Sequence, residues 1–333
     1  MVARLLARVD LMVRLLIVAI VLASVLPAAG PAREAAQWVS NAAVFLLFLL
    51  NGMRLPRAEV RRGIGHWRFL LPLALYSFGL MAIAGLGFAQ MTDGLVPPMV
   101  ALGFLFLGTL PSTVQSATAY SSLGGGNVAN SVVAAALLNV LGVFVTVPVF
   151  AALGGGTHVS LGMEGLAKVG AMLVLPFALG QLLQSRVSRW IGDHRGLVAW
   201  MDRLSIAIAV YVAFSGAVEQ GIWTRVGWGE WTAILAAVLA FLVVGFGGAW
   251  LFGGMLGLAR GDRIAFLFAG AHKSAAMGAP LAAVLFPPAA AGLVLVPLLI
   301  YHLLQLVASA PIASRLARGG AGSPAPTTAA TAR

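Results

Sequence analysis

Ten apolar stretches follow one another along this chain, with only short connections between them. They cover residues 14–29, 36–53, 69–90, 97–122, 128–152, 165–185, 203–220, 231–258, 264–286 and 290–314. A helix that spans a bilayer needs about 20 mostly apolar residues. Charged residues make up only 9% of the chain, whereas about 25% is usual in a soluble protein. The sequence therefore predicts an all-α polytopic membrane protein with ten transmembrane helices, in contact with membrane lipid.

The basic residues give these helices an orientation. The net charge is +11, but the arginines form short blocks between apolar stretches, without the interleaved aromatic residues typical of a nucleic-acid-binding surface. One set of connections carries 17 arginines, and the opposite set carries Arg33, Lys168 and Arg225. Because cytoplasmic loops are rich in Lys and Arg, we expect an inner-membrane protein with both termini in the cytoplasm. Arg54 and Arg68 beside the loops are interpreted as topology anchors.

The two ends of the chain are read separately. Arg4, Arg8 and Arg14 before an apolar run and "LPAAGPA" are compatible with a secretory signal peptide. The alternative is a retained first helix, which we favour because the internal repeat described next needs it. At the other end, "GGAGSPAPTTAATAR" is small and polar, and residues 317–333 are predicted to be a disordered cytoplasmic tail.

An internal repeat divides the chain into two halves. "FLFLGTLPSTVQSATA" from Phe104 is similar to "FLFAGAHKSAAMGAPL" from Phe266, at an offset of 162 residues, and an offset of 164 relates residues 51–67 to 215–231. Residues 1–152 and 165–316 would each hold five helices. An odd number of helices inverts the second half across the membrane, and inverted repeats are typical of secondary transporters. Chance similarity between two apolar segments is the alternative.

The two matched segments, the fourth and the ninth, also contain helix breakers. Pro111 precedes the polar residues Ser112, Thr113, Gln115, Ser116 and Thr118, and Pro280 follows Gly278. Proline removes a backbone donor and crowds the carbonyl four residues earlier. Broken helices at membrane depth must line a cavity or find partners for their backbone groups. We predict a binding site between the two breaks, and the alternative is a pair of ordinary kinks.

The same segments carry a resemblance to a known family. "GTLPSTVQSATAYSSLGGGNVANSVVAAALLNVLGVF" and "GDRIAFLFAGAHKSAAMGAPLAAVLFPP" resemble the bile acid:sodium symporter superfamily, and most closely its SBF-like branch, over roughly residues 14–316. The resemblance implies ten transmembrane helices in two inverted five-helix repeats. It also implies a panel domain and a core domain, with broken helices 4 and 9 crossing in the core.

The resemblance further implies where sodium-coupled members hold their ion. The positions fall near Gln115, Ser116 and Thr118 on the fourth helix and near Ser131 on the fifth. The family's glutamate and glutamine on the ninth helix fall on Ala269 and Lys273. The carboxylate is therefore missing here, and hard cations commonly use one. This mismatch argues against sodium coupling.

Lys273 is the unusual residue of the ninth segment. A lysine at the centre of a membrane helix costs about 2.5–3.5 kcal/mol or more, so we expect it to face the protein interior. Lys273 would attract an anionic substrate or take the place of the coupling cation. The alternative is that it satisfies carbonyls freed by the broken helices and holds the crossing together, and the two roles are compatible.

Other polar residues are candidates for the same substrate or ion site. His272 could carry a proton or be a packed histidine, and Ser274 completes the polar run with Lys273. His302 and Gln305 share one face of the tenth helix, where they would line the cavity or, as we favour, form a buried hydrogen bond between helices. Asn139 on the fifth helix has the same two alternatives.

These features favour a secondary transporter of a small organic anion that works by alternating access. The alternatives are a regulatory membrane protein that affects ion entry without robust transport, and a sodium-coupled symporter with a reduced site. No paired acids, HExxH motif or triad lie in the apolar segments, so we do not expect an enzyme, and no pore filter is visible. No metal or other cofactor is predicted, and the coupling ion is left between sodium and a proton.

Overall fold

The structure, a computed structural model, describes residues 11–54, 66–154 and 170–320. Within these ranges the regular structure is helical, apart from an isolated bridge between Asp93 and Val96. Six helices are long and apolar enough to cross a membrane: Pro31–Arg54, Trp67–Thr92, Val128–Leu153, Arg195–Glu219, Trp228–Met255 and Pro288–Gly319. Leu11–Val25 and Pro98–Thr109 are shorter apolar helices. This is the architecture of a polytopic membrane protein.

The helices are numbered in chain order. They are α1 Leu11–Val25, α2 Pro31–Arg54, α3 Trp67–Ala74, α4 Met81–Thr92, α5 Pro98–Thr109, α6 Gln115–Leu123, α7 Val128–Leu153, α8 Leu175–Asp193, α9 Arg195–Glu219, α10 Ile222–Arg225, α11 Trp228–Met255, α12 Arg260–Ala271, α13 Ala275–Leu285 and α14 Pro288–Gly320. Two π-helical turns, Leu75–Leu80 and Gly170–Val174, precede α4 and α8.

The helices pack in two groups that meet along α9. In one group α2 packs against α8, and α9 packs against α1 and α2. In the other group α5 packs against α4 and α14, while α12 packs against α11, α6 and α7. The contacts between the groups run mainly from α9 to α13 and α14.

The contact between α9 and α14 depends on two glycines. A Cβ atom on Gly216 would overlap the carbonyl oxygen of Pro288, at the start of α14. A Cβ atom on Gly292 would lie 2.5 Å from the carbonyl oxygen of Ala213. Side chains at these positions would therefore separate the two helices at this end.

Two helices are followed by breaks at matching positions. α5 and α12 are both 12 residues long, and each boundary of α12 lies 162 residues after the corresponding boundary of α5. The first break covers residues 110–114 and includes Pro111, as predicted. The two breaks meet directly, because the backbone N–H of Ser274 donates to the Pro111 carbonyl at 3.0 Å.

The predicted position of the second break was wrong. It lies at residues 272–274, whereas Gly278 and Pro280 are inside α13. Pro280 deprives only the Ala276 carbonyl of a helical donor, and the helix continues through it. Gly278 permits close packing instead, since its Cβ position is filled by the side chains of Leu298 and Leu110.

Parts of three predicted segments lie outside the described residues. They are residues 165–169 of the sixth apolar stretch, 1–10 at the N-terminus and 321–333 of the tail. The first four residues of the predicted disordered tail, 317–320, are helical, since α14 continues to Gly320.

Candidate functional site

The carbonyls at the start of the first break are bonded to groups from other parts of the chain. Five consecutive carbonyls, from Gly108 to Ser112, accept hydrogen bonds from outside their own segment. The donors are Lys273 Nζ to Gly108 at 2.9 Å and to Leu110 at 2.8 Å, Thr146 Oγ1 to Thr109 at 3.0 Å, Ser274 N to Pro111 at 3.0 Å, and Asn139 Nδ2 to Ser112 at 2.9 Å. Irregular backbone buried in a membrane protein needs such partners. The first break is therefore held mainly by side chains of α7 and of the second break.

The second break is held by α14. Gln305 acts as an amide clamp, because its Oε1 accepts from the backbone N–H of Lys273 at 2.8 Å and its Nε2 donates to the Lys273 carbonyl at 3.0 Å. The Tyr301 hydroxyl donates to the Ala271 carbonyl at 2.7 Å. Ser274 caps α13, since its Oγ accepts from the Met277 N–H at 3.2 Å. The break thus recovers the hydrogen bonds that a continuous helix would have supplied.

The side chain of Lys273 is fully buried at the crossing. Besides Gly108 and Leu110, its Nζ donates to the Ser77 carbonyl at 2.9 Å. An ammonium has three N–H donors, so all three are used by backbone carbonyls. Ser77 lies in the π-helical turn Leu75–Leu80. A cluster of carbonyls around one positive charge is a cation site in which the cation is tethered to the chain.

The side chain of His272 points to a different set of partners and is also fully buried. Its Nδ1 lies 3.0 Å from Thr113 Oγ1 and 3.2 Å from Ser116 Oγ, and its Nε2 lies 2.8 Å from Ser309 Oγ. Aromatic rings of Tyr120, Phe246 and Phe268 surround the imidazole, with centroids about 6 Å away. Both ring nitrogens of His272 are therefore bonded to hydroxyl groups inside an apolar box.

Sequence comparison assigns this chain to a known family. The sequence pattern of the SBF-like CPA transporter family matches residues 10–318, which include every helix described above except the last two residues of α14. The chain belongs to the SBF-like CPA transporter family. It is accordingly a member of a family of membrane transporters of the bile acid:sodium symporter type, and that family is not enzymatic.

Three similar proteins align with this chain over most of their length. "Putative symporter YfeH" of Escherichia coli (strain K12) is 37% identical over 281 residues, which are 84% of this chain and 84% of that protein. "Uncharacterized protein PA2026" of Pseudomonas aeruginosa is 34% identical over 291 residues, 87% of each chain. "Sodium/bile acid cotransporter 7" of Mus musculus is 24% identical over 284 residues, 81% of this chain and 80% of that protein.

The positions where the family resemblance places sodium ligands lie in different environments. Gln115 is exposed at the start of α6, and Ser116 bonds to His272. The hydroxyls of Thr118 and Ser131 are buried without a hydrogen-bond partner among the described residues. Ala269, at the position of the family's glutamate, is fully buried and supplies no ligand.

The remaining candidate site residues, Asn139 and His302, lie next to the two breaks and form hydrogen bonds there. Asn139 bonds to the Ser112 carbonyl and also to its own helix at Ala135, at 2.8 Å. His302 lies beside the clamp, where its Nδ1 is 2.9 Å from Gln305 Nε2. The expected bond between helices therefore runs from α14 to the second break.

Several residues of this site had not been predicted. Ser309 lies four residues after Gln305 and seven after His302 on the same face of α14, so the helical period could have revealed it. Ser77, Tyr301 and Thr146 carry no comparable signal in the sequence. Their role follows from contacts between residues 30 to 196 positions apart.

Replacing Gln305 with leucine is expected to destabilise the protein. The Lys273 N–H would lose its partner and the Lys273 carbonyl would keep only its 3.3 Å contact with His302 Nδ1. Each buried unpaired group costs roughly 1–3 kcal/mol. We expect the free energy of unfolding to fall by about 2–4 kcal/mol, measured by tryptophan fluorescence during thermal unfolding in nanodiscs. Gln115→Leu at the exposed start of α6 is the matched control and should change little. Equal stability of the two variants would contradict the clamp.

Proposed function

We propose that this protein is a secondary transporter of a small organic anion that works by alternating access. Residues 1–152 and 165–316 form two inverted five-helix halves, with ten transmembrane helices and both termini on the cytoplasmic side of the inner membrane. Membership of a transporter family supports this proposal. The 162-residue spacing of α5 and α12, each followed by a break, supports the repeat.

The anion would bind at the start of α6. The N-terminus of a helix carries partial positive charge and attracts anions. The first turn of α13 is buried and capped by Ser274. The first turn of α6 follows Val114, which supplies no side-chain cap, and Thr113 Oγ1 accepts from the Ala117 N–H at 3.3 Å. Both Val114 and Gln115 are exposed. Gln115 and Ser116 would therefore contact the substrate, while Lys273, with its three donors occupied, would not.

Lys273 would replace the coupling cation of the sodium symporters. This replacement is supported by the three backbone carbonyls that lie 2.8–2.9 Å from Lys273 Nζ. Carbonyl oxygens replace the hydration shell of monovalent cations in the same way. With an ammonium in this place, transport would not require sodium.

A sodium-coupled symporter with a reduced site is the second candidate. The unpartnered buried hydroxyls of Thr118 and Ser131 favour it, because they are oxygen ligands at two positions of the family's sodium site. A hard cation generally needs six or more oxygens, however, and Ala269 offers no side-chain oxygen. The dependence of transport on sodium distinguishes the two candidates.

Counterflow in proteoliposomes tests transport itself. Vesicles are loaded with one unlabelled anion, diluted into the same anion carrying a radiolabel, and compared with vesicles lacking the protein. Taurocholate, benzoate and pyruvate represent a steroid sulfonate, an aromatic and a small aliphatic carboxylate. A saturable overshoot for one of them supports the proposal, and Gln115→Leu should weaken it. Absence of exchange for every organic anion would favour a regulatory protein without transport.

A further inference from the structure

The hydrogen-bond partners of His272 are suited to both charge states of an imidazole. The Ser309 hydroxyl donates to the Gln305 carbonyl at 2.6 Å, so Nε2–H donates to Ser309 Oγ, and Nδ1 accepts from Thr113 or Ser116. If Nδ1 gains a proton, one of those hydroxyls accepts instead of donating. Hydroxyls can do either, so no buried polar group loses its partner when His272 binds or releases a proton.

The surroundings of His194 provide a contrast. Its Nδ1 lies 2.9 Å from the Trp190 carbonyl, which can only accept, so that nitrogen must carry a proton in either charge state. In His272 the same holds for Nε2, because the Ser309 hydroxyl already donates to Gln305, whereas Nδ1 faces two hydroxyls that can donate or accept. Its hydroxyl partners come from the first break, from α6 and from α14, the segments that meet at the crossing.

The hydroxyl chain is open at one end only. Thr113 Oγ1 and Ser116 Oγ are 2.7 Å apart, and Ser116 is half-buried next to the exposed residues Val114 and Gln115. On the other side of the ring, Ser309 leads to a backbone carbonyl. A proton can therefore reach His272 along Ser116 and Thr113 from the side where α6 begins. Access from a single side at a time is what coupled transport requires.

Other titratable groups around His272 are bonded to partners of their own. Lys273, the next residue, directs its ammonium to the carbonyls of Ser77, Gly108 and Leu110 and not to the imidazole. Tyr120 on α6 contributes a ring, while Tyr301 and His302 on α14 are bonded near the second break. No carboxylate hydrogen-bonds to His272 in the part of the chain that the structure describes.

We propose that His272 is the proton-binding site of this transporter and couples one proton to each substrate anion. The proton enters from water through Ser116, binds Nδ1 while the anion occupies the start of α6, and leaves to water on the opposite side after the conformational change. For a monovalent anion this cotransport is electroneutral, since the two charges cancel. The inference rests on the proposed transport function.

A pH gradient across proteoliposomes tests the coupling. The anion that gives counterflow is supplied without sodium, with the outside more acidic by one unit. One proton per anion predicts about tenfold accumulation, because each 1.4 kcal/mol is a factor of ten. His272→Gln keeps hydrogen-bonding capacity but cannot titrate, so it should lose the accumulation at whatever rate of counterflow it shows. His194→Gln should behave like the unmodified protein. Accumulation that survives in His272→Gln, or a gradient without effect on the unmodified protein, would overturn the proposal.

A spectroscopic measurement tests proton binding at His272 independently of transport. Imidazole nitrogens labelled with ¹⁵N are followed by solid-state NMR while the pH is lowered in lipid bilayers. The signal that disappears in His272→Gln should report the Nε2–H form at neutral pH and convert reversibly to imidazolium. This result would support the proton site even if none of the three anions is transported. A His272 signal that never converts while the protein stays folded would contradict it.

Discussion

Replacing Lys273 with alanine is expected to create a protein whose stability depends on a free monovalent cation. The carbonyls of Ser77, Gly108 and Leu110 would lose their shared donor, at roughly 1–3 kcal/mol for each unpaired group. The space left by the side chain can admit sodium or methylammonium. In choline chloride we expect a large fall in the unfolding temperature of Lys273→Ala, with recovery as sodium or methylammonium is added. Recovery should grow with the logarithm of concentration, as for any ligand that binds the folded state.

Lys273→Met is the matched control for this experiment. Methionine fills a similar space without a hydrogen-bond donor. The unfolding temperature of Lys273→Met should therefore be low in every salt. The unmodified protein should unfold at the same temperature in choline and sodium chloride, because its site already holds an ammonium. Equal unfolding temperatures of Lys273→Ala in all salts would show that the carbonyls do not form a cation site.

Replacing Gly216 with alanine is expected to open the contact between α9 and α14. The added methyl group would overlap the Pro288 carbonyl oxygen. In the proposed orientation, with both termini in the cytoplasm, this contact would lie at the outer end of the helices. The population should therefore shift towards a form open to the outside. The chain has no cysteine, so Ser215→Cys, which is buried beside Gly216, serves as the reporter. Labelling by an impermeant maleimide from outside should rise about tenfold for each 1.4 kcal/mol of shift.

Gly196→Ala is the control in the same helix. No atom lies within 4 Å of its Cβ position, so the labelling rate should stay unchanged. If Gly216→Ala leaves Ser215→Cys protected while the protein remains folded, the contact is a fixed part of the fold and not a closure that opens during transport.

The sequence was most informative where local chemistry decides the outcome. Long apolar stretches require helices in a membrane, because the bilayer offers backbone groups no partners. Pro111 predicts the first break correctly, since proline removes a backbone donor and crowds the carbonyl four residues earlier. The repeat offset read from Phe104 and Phe266 agrees with the helix ends at Thr109 and Ala271.

The sequence was misleading where distant contacts decide the outcome. Gly278 and Pro280 are stronger helix breakers than His272 or Lys273 by intrinsic preference, yet the chain breaks at the latter pair. Gln305 is 32 residues away and supplies both hydrogen bonds that the broken turn lacks. Ser77 is 196 residues from Lys273 and was not a candidate. A local pattern cannot indicate that such partners will be close in space.

Anion flux with and without sodium is the most direct test of the claim that Lys273 serves as a resident cation. Proteoliposomes that show counterflow are assayed with equal ionic strength, pH and membrane potential, in sodium chloride or in choline chloride. We predict the same saturable uptake in both salts. Uptake that is stimulated by an inward sodium gradient, and lost in choline, would contradict the account and favour a sodium site at Thr118 and Ser131.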